Sequence, residues 1–272
     1  MHRSTEETPL TGGNVSAGVV RAGDTVRRPT GPWTPAVHAL LTHLHAVGYH
    51  AAPRPLGIDE RGREVLTFAP GTTLWPDRMV LLDPADRLAL VARLIRDYHD
   101  AVADFTPPPD ADWRPIIPVE NPDIIAHHDL APWNLVVDEP TDTWTIIDWD
   151  GAGPGTRLWD LAYAARGFVQ LTANPAYRHP DRLAAARLRT FVDAYRLDEP
   201  DRRALVPLLT NRTRAMHDFL RDQAALGTEP WATLPQTSSG RCPQATGHGD
   251  AWRSDAAYVE ERAALWTAAL LD

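Results

Sequence analysis

Residues 124–155 read IIAHHDLAPWNLVVDEPTDTWTIIDWDGAGPG. Two short apolar runs, LVV at 135–137 and WTII at 144–147, flank the turn sequence DEPTD, which is the pattern of a β-hairpin. Polar residues stand just outside each run: His127, His128, Asp129 and Asn134 before the first, Asp148 and Asp150 after the second. A hairpin brings its outer ends together, so these groups are expected to meet. Asp and Asn beside turns are commonly caps. Correct spacing at both ends of one hairpin is much harder to reach by chance than any single residue, and it points to chemistry.

The flanking sequence supplies the setting. At 10–29, LTGGNVSAGVVRAGDTVRRP reads as a Gly-rich turn, a strand over 17–22, a Gly23-Asp24 hairpin turn and a strand ending at Pro29. Next comes a helix with Thr34 as N-cap, Pro35 at its first position and Gly48 as its stop. Val37, Leu40, Leu41, Leu44 and Val47 form its apolar stripe. Strands are expected over 54–58 and 64–68, joined by a turn at 59–62. The break APG at 69–71 suits a connection between two lobes, residues 1–70 and 71–272.

Beyond the break the pattern turns helical. Asp83-Pro84 opens a periodic helix through Leu88, Val91, Leu94, Ile95 and Tyr98, and the Pro-rich segment 106–112 is a loop. After the hairpin, helices are expected near 159–171, 180–195 and 199–226, and from about 255 to the end. Residues 234–250, rich in Gly, Ser, Thr and Pro, read as a mobile loop. No internal repeat is visible.

Composition narrows the function. A chain of 272 residues can bury a large core. No apolar run has the length of a membrane span, and MHRSTEETPL carries no apolar signal segment. The single Cys242 excludes an intrachain disulfide and fits a reducing, cytoplasmic setting. A net charge of -9 argues against a nucleic-acid partner and is compatible with a cationic small substrate. All 27 basic residues are arginine, and lysine is absent.

Phosphoryl transfer needs a carboxylate to orient an attacking hydroxyl and take its proton, and oxygen ligands that hold magnesium against nucleotide phosphates. Protein kinases draw these parts from an H-x-D-x-x-x-x-N loop and from an aspartate after a following hairpin. His127, Asp129 and Asn134 have that spacing, and Asp148 stands at the hairpin exit. With I-D-W-D at 147–150 and L-W-D-L-A at 158–162, the chain resembles the aminoglycoside phosphotransferase family, kin to choline and homoserine kinases. The resemblance is good over 83–171, loose before it and slight in the last hundred residues. It implies an α+β, protein-kinase-like two-lobe fold, with a small antiparallel-sheet N-lobe and a larger, mostly helical C-lobe.

The same resemblance implies roles. Asp129 would be the catalytic base, Asn134 and Asp148 would bind Mg2+, His127 would brace the loop, and Asp160 would hold the loop backbone from its helix. The phosphate donor would be ATP or GTP, and the acceptor a hydroxyl on a small metabolite or aminoglycoside-like antibiotic. Main-chain groups of Thr67, Phe68 and Ala69 would meet the nucleotide base, and the Gly-rich turn around Gly13 would lie over its phosphates. Asp150, Asp218 and Asp222 are expected on the acceptor side, with Trp231, Trp252 and Tyr258 as possible walls.

Two departures and two rivals accompany this reading. The family's strand lysine and helix glutamate are both missing, and no acid occurs between Asp24 and Asp59. Arg27 or Arg28 would take the lysine's place; alternation favours Arg27, because Val26 then points into the core. His38 lies near the glutamate's place but supplies no fixed negative charge. One rival is a degenerate kinase fold that binds without transferring phosphate. The other is a metal-dependent phosphohydrolase using His99, His128 and Asp129, although Pro132 and the following β pattern oppose the helical setting such enzymes use.

Overall fold

The computed structural model describes residues 6–10, 18–228 and 248–272. The first sheet contains β1 (Glu7–Pro9), β2 (Val20–Ala22), β3 (Thr25–Pro29), β4 (Pro55–Ile58) and β5 (Arg63–Thr67), in the antiparallel order β1-β2-β3-β5-β4. The strand β1, unanticipated from sequence, is fixed by Glu7, which meets the Arg63 guanidinium at 2.7 Å. Between β3 and β4 runs α1 (Thr34–Ala46), with Trp33 rather than Thr34 at the N-cap. The Thr34 hydroxyl instead accepts the N–H of Gly31 at 2.9 Å. Leu40, Leu41 and Leu44 are wholly buried, each contributing about 2 kcal/mol of apolar transfer. Val47 departs from the expected stripe: it is the C-cap and is 54% exposed, because the helix has already ended.

The chain leaves the first sheet at Ala69–Gly71. There β6 (Thr72–Thr73) joins the expected hairpin, β8 (Leu135–Asp138) and β9 (Thr143–Ile146), in a sheet ordered β6-β8-β9. Leu135 pairs with Ile146 and Asp138 with Thr143. Before the hairpin come α2 (Ala85–Ala101) and β7 (Ile124–Ala126). After it, β10 (Gly153–Gly155) pairs antiparallel with β7. The helices α3 (Arg157–Phe168), α4 (Asp181–Tyr195) and α5 (Glu199–Leu226) match the predicted segments to within a few residues.

The last helical segment differs from expectation. It starts earlier, as α6 (His248–Glu261), and breaks at Arg262 before α7 (Ala263–Leu271). The break turns the chain so that the Trp266 indole, fully buried, donates to the Val259 carbonyl at 3.0 Å. The rest of the 234–250 loop lies outside the described residues.

The main core runs through α2, α3 and α4, with Leu88, Val91, Ile95, Leu161, Leu188 and Phe191 buried together. Contacts tie the first sheet's helix to this core: the Tyr49 hydroxyl donates to the Leu94 carbonyl at 3.2 Å, and His43 Nε2 meets the Ala101 carbonyl at 2.8 Å. A second apolar cluster, Ala131, Tyr163, Met216, Leu220 and Trp252, lies beside the loop that follows β7. Among the described residues no helix is long and apolar enough to cross a membrane.

Gly71 marks the crossing between sheets. Its φ is +109°, and a Cβ there would sit 2.1 Å from the Val137 carbonyl oxygen. Neither the torsion nor the space admits a side chain. Gly71→Ala should therefore cost about 3 kcal/mol or more, read as a lowered urea midpoint; a change within about 0.5 kcal/mol would show that this crossing is not tightly packed.

Candidate active site

The loop after β7 is held by one carboxylate. Asp160, buried on α3, accepts the N–H of His127 at 3.0 Å and of His128 at 2.9 Å, one on each oxygen. The helix that carries it is N-capped by Thr156, whose hydroxyl accepts from Trp159 N–H at 3.2 Å. Burial works against the Asp160 charge, but the His99 hydrogen bond and the neighbouring histidines outweigh it and hold the carboxyl at about 2. His99, at the end of α2, is fully buried. Its Nε2 meets Asp160 at 3.2 Å and its Nδ1 meets the Tyr195 hydroxyl at 2.6 Å.

These anchors support a strained turn. His128 has φ +67°, an uncommon conformation for a residue with a side chain, costing about 1–3 kcal/mol. Its carbonyl accepts from Arg212 Nη2 at 3.0 Å, and Arg212 is itself buried against the faces of Tyr163 and Trp159. Gly155 is required opposite, because a Cβ there would stand 2.5 Å from the Ala126 Cβ and 2.9 Å from His128 Nε2. His127 accepts the Asp129 N–H on Nδ1 at 3.2 Å, so its Nε2 carries the proton donated to the Ile147 carbonyl at 3.1 Å. Burial lowers its pKa and keeps this neutral tautomer. The ring thus ties the loop to the hairpin exit.

Asp129 follows with both oxygens occupied by donors. Tyr163 donates to Oδ1 at 2.7 Å; Asn134 Nδ2 donates to Oδ2 at 2.8 Å, and the Trp133 indole reaches Oδ2 at 3.4 Å. Burial nevertheless pushes the carboxyl up to about 7, with Tyr163 opposing and the Asp148 charge adding to the rise.

The hairpin brings Asn134 and Asp148 to one mouth. Asn134 precedes β8, Asp148 follows β9, and the Ile147 N–H donates to the Asn134 carbonyl at 2.9 Å. Asn134 commits its side-chain nitrogen to Asp129, which leaves its amide oxygen as the atom that could ligate a metal. Asp148 is turned out of the strand at φ +62° with its side chain 36% exposed. This oxygen-only pair fits Mg2+, which takes one or two protein oxygens and completes its shell from phosphates and water. Among the described residues no three His, Cys, Asp or Glu side chains form a complete metal cage.

The cation facing this mouth is Arg28, not the Arg27 that alternation favoured. Arg28 is buried opposite Glu64 in the β3–β5 ladder and bonds it through Nε. Its Nη1 reaches Asp148 at 3.3 Å and its Nη2 reaches Asp150 at 2.6 Å. Burial disfavours its charge, but Asp150, Glu64 and Asp148 more than restore it, raising its pKa. Arg27 lies on the opposite face and meets Asp59 at 3.5 Å. The inward face bearing Val26 and Leu66 is not apolar to its end; it continues over the cleft as Arg28 and Glu64. The missing helix glutamate thus has a counterpart on β5, and His38 of α1 meets that acid at 3.0 Å. Burial lifts the Asp150 carboxyl to about 6, against the Arg28 charge.

Other expected positions fare differently. The N–H groups of Thr67 and Phe68 already bond the Arg54 and Asp24 carbonyls at 3.0 and 2.9 Å, so a base would find its next main-chain donor at Ala69. Asp218 and Asp222 are not gathered with Asp129; both pair with Arg221, at 2.8 and 2.9 Å, the first at the i,i+3 spacing of one helix face and the second between adjacent residues. Trp252 stacks on Tyr163 at 5.7 Å, whereas Tyr258 contacts Trp266 and Arg262. Gly13 and Trp231 lie outside the described residues. The phosphohydrolase ligand set does not form: His99 is committed to Asp160, and His128 Nε2 meets the Pro154 carbonyl at 3.2 Å. Sequence reasoning missed Glu64 and Tyr163.

Comparison with known proteins agrees with this geometry. Residues 110–205 match the model described as the phosphotransferase enzyme family. The trifolitoxin immunity protein of Rhizobium leguminosarum bv. trifolii is 33% identical over 222 residues, 78% of this chain and 82% of that protein. Among solved structures, a choline/ethanolamine kinase family protein from Mesorhizobium loti aligns with TM-score 0.63 and 16% identity, covering 98% of this chain and 92% of its own. Amicoumacin kinase hAmiN, in complex with AMP-PNP, Ca2+ and Ami, aligns at 0.59 and 12%, covering 95% and 88%. The GDP complex of aminoglycoside 2'-phosphotransferase-IIIa aligns at 0.55 and 13%, covering 95% and 92%. At these identities the structures establish a shared kinase-like fold.

Because the Asp160 carboxyl lies below its ordinary value of 3.8, at about 2, its ionised form stabilises the fold above the ordinary value. That contribution, of order 2 kcal/mol, is lost as pH falls through about 2. Asp160→Asn should be less stable than wild type at neutral pH, and the gap should narrow between about pH 5 and pH 2. Urea unfolding of both proteins across that range checks this; a gap independent of pH would rule out the charged anchor.

Proposed function

The chain belongs to the phosphotransferase enzyme family, and from this premise we propose that it is a small-molecule kinase that moves the terminal phosphate of ATP or GTP to a hydroxyl of a small antibiotic- or toxin-like molecule in the cytoplasm. Residues 1–70 would hold the donor and residues 71–272 the catalytic groups. The reading is carried by one observation: Asp129, with donors on both oxygens, shares the hairpin mouth with Asn134 and Asp148, and Arg28 faces that mouth from the first sheet.

Asp129 acts as the base. It orients the acceptor hydroxyl and takes its proton as that oxygen bonds to the terminal phosphorus and the bond to the nucleoside diphosphate breaks. Tyr163, Trp133 and Asn134 aim the carboxylate and favour its ionised form against the burial that lifts it to about 7, where a base can both take and release a proton near neutral pH. Arg28 grips donor phosphates with a permanent charge and a planar fork, a task that lysine performs elsewhere in the fold. When bound by the Asn134 and Asp148 oxygens, Mg2+ supplies neutralisation of phosphate charge. Neighbouring structures carry AMP-PNP in one case and GDP in another, which supports a nucleoside triphosphate donor without choosing its base.

The acceptor reading rests on the rings beside Asp129 and on the immunity function that the relative's name carries. Trp133 and Tyr163 meet edge to face, and Tyr163 stacks on Trp252. Tyr163 and Trp252 are buried against each other, which leaves Trp133, partly buried beside Asp129, as the ring open to an acceptor; with Asp218 and Asp222 paired elsewhere, it favours an acceptor with a ring to stack over a polycation that needs clustered acids. A binding-only fold gains nothing from the geometry, because the Arg28–Glu64 pair stands in for the missing lysine and glutamate.

Asp129→Asn should lower kcat by about a thousandfold while nucleotide affinity in Mg2+ stays within about threefold. Steady-state rates and calorimetry check this; retained turnover would remove Asp129 from the base role. In a panel of ring-bearing hydroxylated antibiotics, aminoglycosides and small amino alcohols, phosphorylation should be fastest in the first group. Preference for aminoglycosides would overturn the acceptor assignment.

A further inference from the structure

One guanidinium here serves three carboxylates, and its two sides are not equivalent. On the inner side, Arg28 Nε bonds Glu64, which is 1% exposed, sits directly opposite in the ladder and also meets His38 Nε2 at 3.0 Å. Breaking that side would strand a buried charge without its partner. On the outer side, Nη1 reaches Asp148 Oδ1 at 3.3 Å and Nη2 reaches Asp150 Oδ1 at 2.6 Å. Those acids stand at the cleft, with side chains 36% and 25% exposed. The Asp148 contact is longer than a charge-assisted hydrogen bond prefers. One side of the fork is pinned, and the other can exchange partners.

Asp148 is also the carboxylate assigned to the divalent ion. A guanidinium and a metal ion on the same carboxylate repel each other, so an ion arriving alone meets a site already neutralised by a cation that Glu64 keeps from leaving. Nucleotide phosphates change the balance, since they give Nη1 and Nη2 other acceptors while Nε remains on Glu64. We propose that Arg28, held by Glu64 and His38, guards the metal site: it exchanges Asp148 and Asp150 for donor phosphates, so that the divalent ion is admitted only together with nucleotide. The inference rests on the phosphotransfer reading above. It assigns Glu64 and His38, which touch neither donor nor acceptor, as positioning residues. An ammonium would not divide its bonds in this way, having no planar fork with separate inner and outer edges.

The test separates metal binding from nucleotide binding. Mn2+, a hard divalent ion that accepts the same oxygen ligands, is titrated alone, and ATP or GTP is titrated in excess Mg2+. The proteins are wild type, Arg28→Met and the double variant Arg28→Met with Glu64→Gln. The double variant leaves no unpaired buried charge and controls for the acid exposed by the single change. Both variants should bind Mn2+ alone at least about tenfold more tightly and nucleotide at least about tenfold more weakly than wild type. A residue that merely supports the fold would weaken both, and that result, or unchanged Mn2+ affinity, overturns the guard. If wild type binds nucleotide in Mg2+ but Mn2+ binding ignores the substitutions, only the guard falls. If wild type binds no nucleotide, the phosphotransfer reading falls and the guard with it.

Discussion

The two backbone N–H groups of His127 and His128 end on the two oxygens of Asp160, and the geometry of the reacting end of the molecule follows from that. A loop carrying a left-handed histidine has little reason of its own to hold one shape. The buried carboxylate supplies the reason, and it sits on a helix, the kind of rigid element from which a site is best positioned. One turn further along the same helix, Tyr163 donates to Asp129. A single capped helix therefore fixes both the backbone of the loop and the side chain that the loop presents. Arg212 closes the arrangement from α5, holding the His128 carbonyl while filling the space between Tyr163 and Trp159.

The hairpin performs the complementary task. Its ladder sets Leu135 against Ile146, so residues immediately outside the pair are neighbours whatever their separation in sequence. His127 then bridges loop and hairpin through its two ring nitrogens, one accepting and one donating. Asp129, the oxygens of Asn134 and Asp148, and the His127 ring thus share one hydrogen-bonded frame, and the first sheet contributes the facing cation Arg28.

Much of this frame was legible in the sequence, because the hairpin alternates with period two and bears polar residues at both ends. The spacing of His127, Asp129, Asn134 and Asp148 survives translation into space because short-range ladder geometry carries it. What could not be read depends on register and on distant packing. Val26, Arg28, Leu66 and Glu64 share a face, but only the β3–β5 register says so, and only the approach of Asp148 and Asp150 shows that this face leaves the core before it ends. Choosing Arg27 treated the inward face as apolar throughout. A histidine at a helix end gives no sign of burial by itself; that of His99 comes with Asp160 and Tyr195, which are 61 and 96 residues away in sequence. Asp218 and Asp222 looked like substrate acids until Arg221, between them on the same helix, proved to be their partner.

In the proposed reading a guanidinium takes the place of a primary amine beside the donor phosphates, and that changes how this protein would meet chemical reagents. Acylating nucleotide analogues that mark kinases do so by handing an acyl group to an amine poised beside the phosphates. Arg28 stays protonated and presents no free lone pair to attack such a carbonyl. With no lysine anywhere in the chain, an inventory built on lysine labelling would pass over this protein.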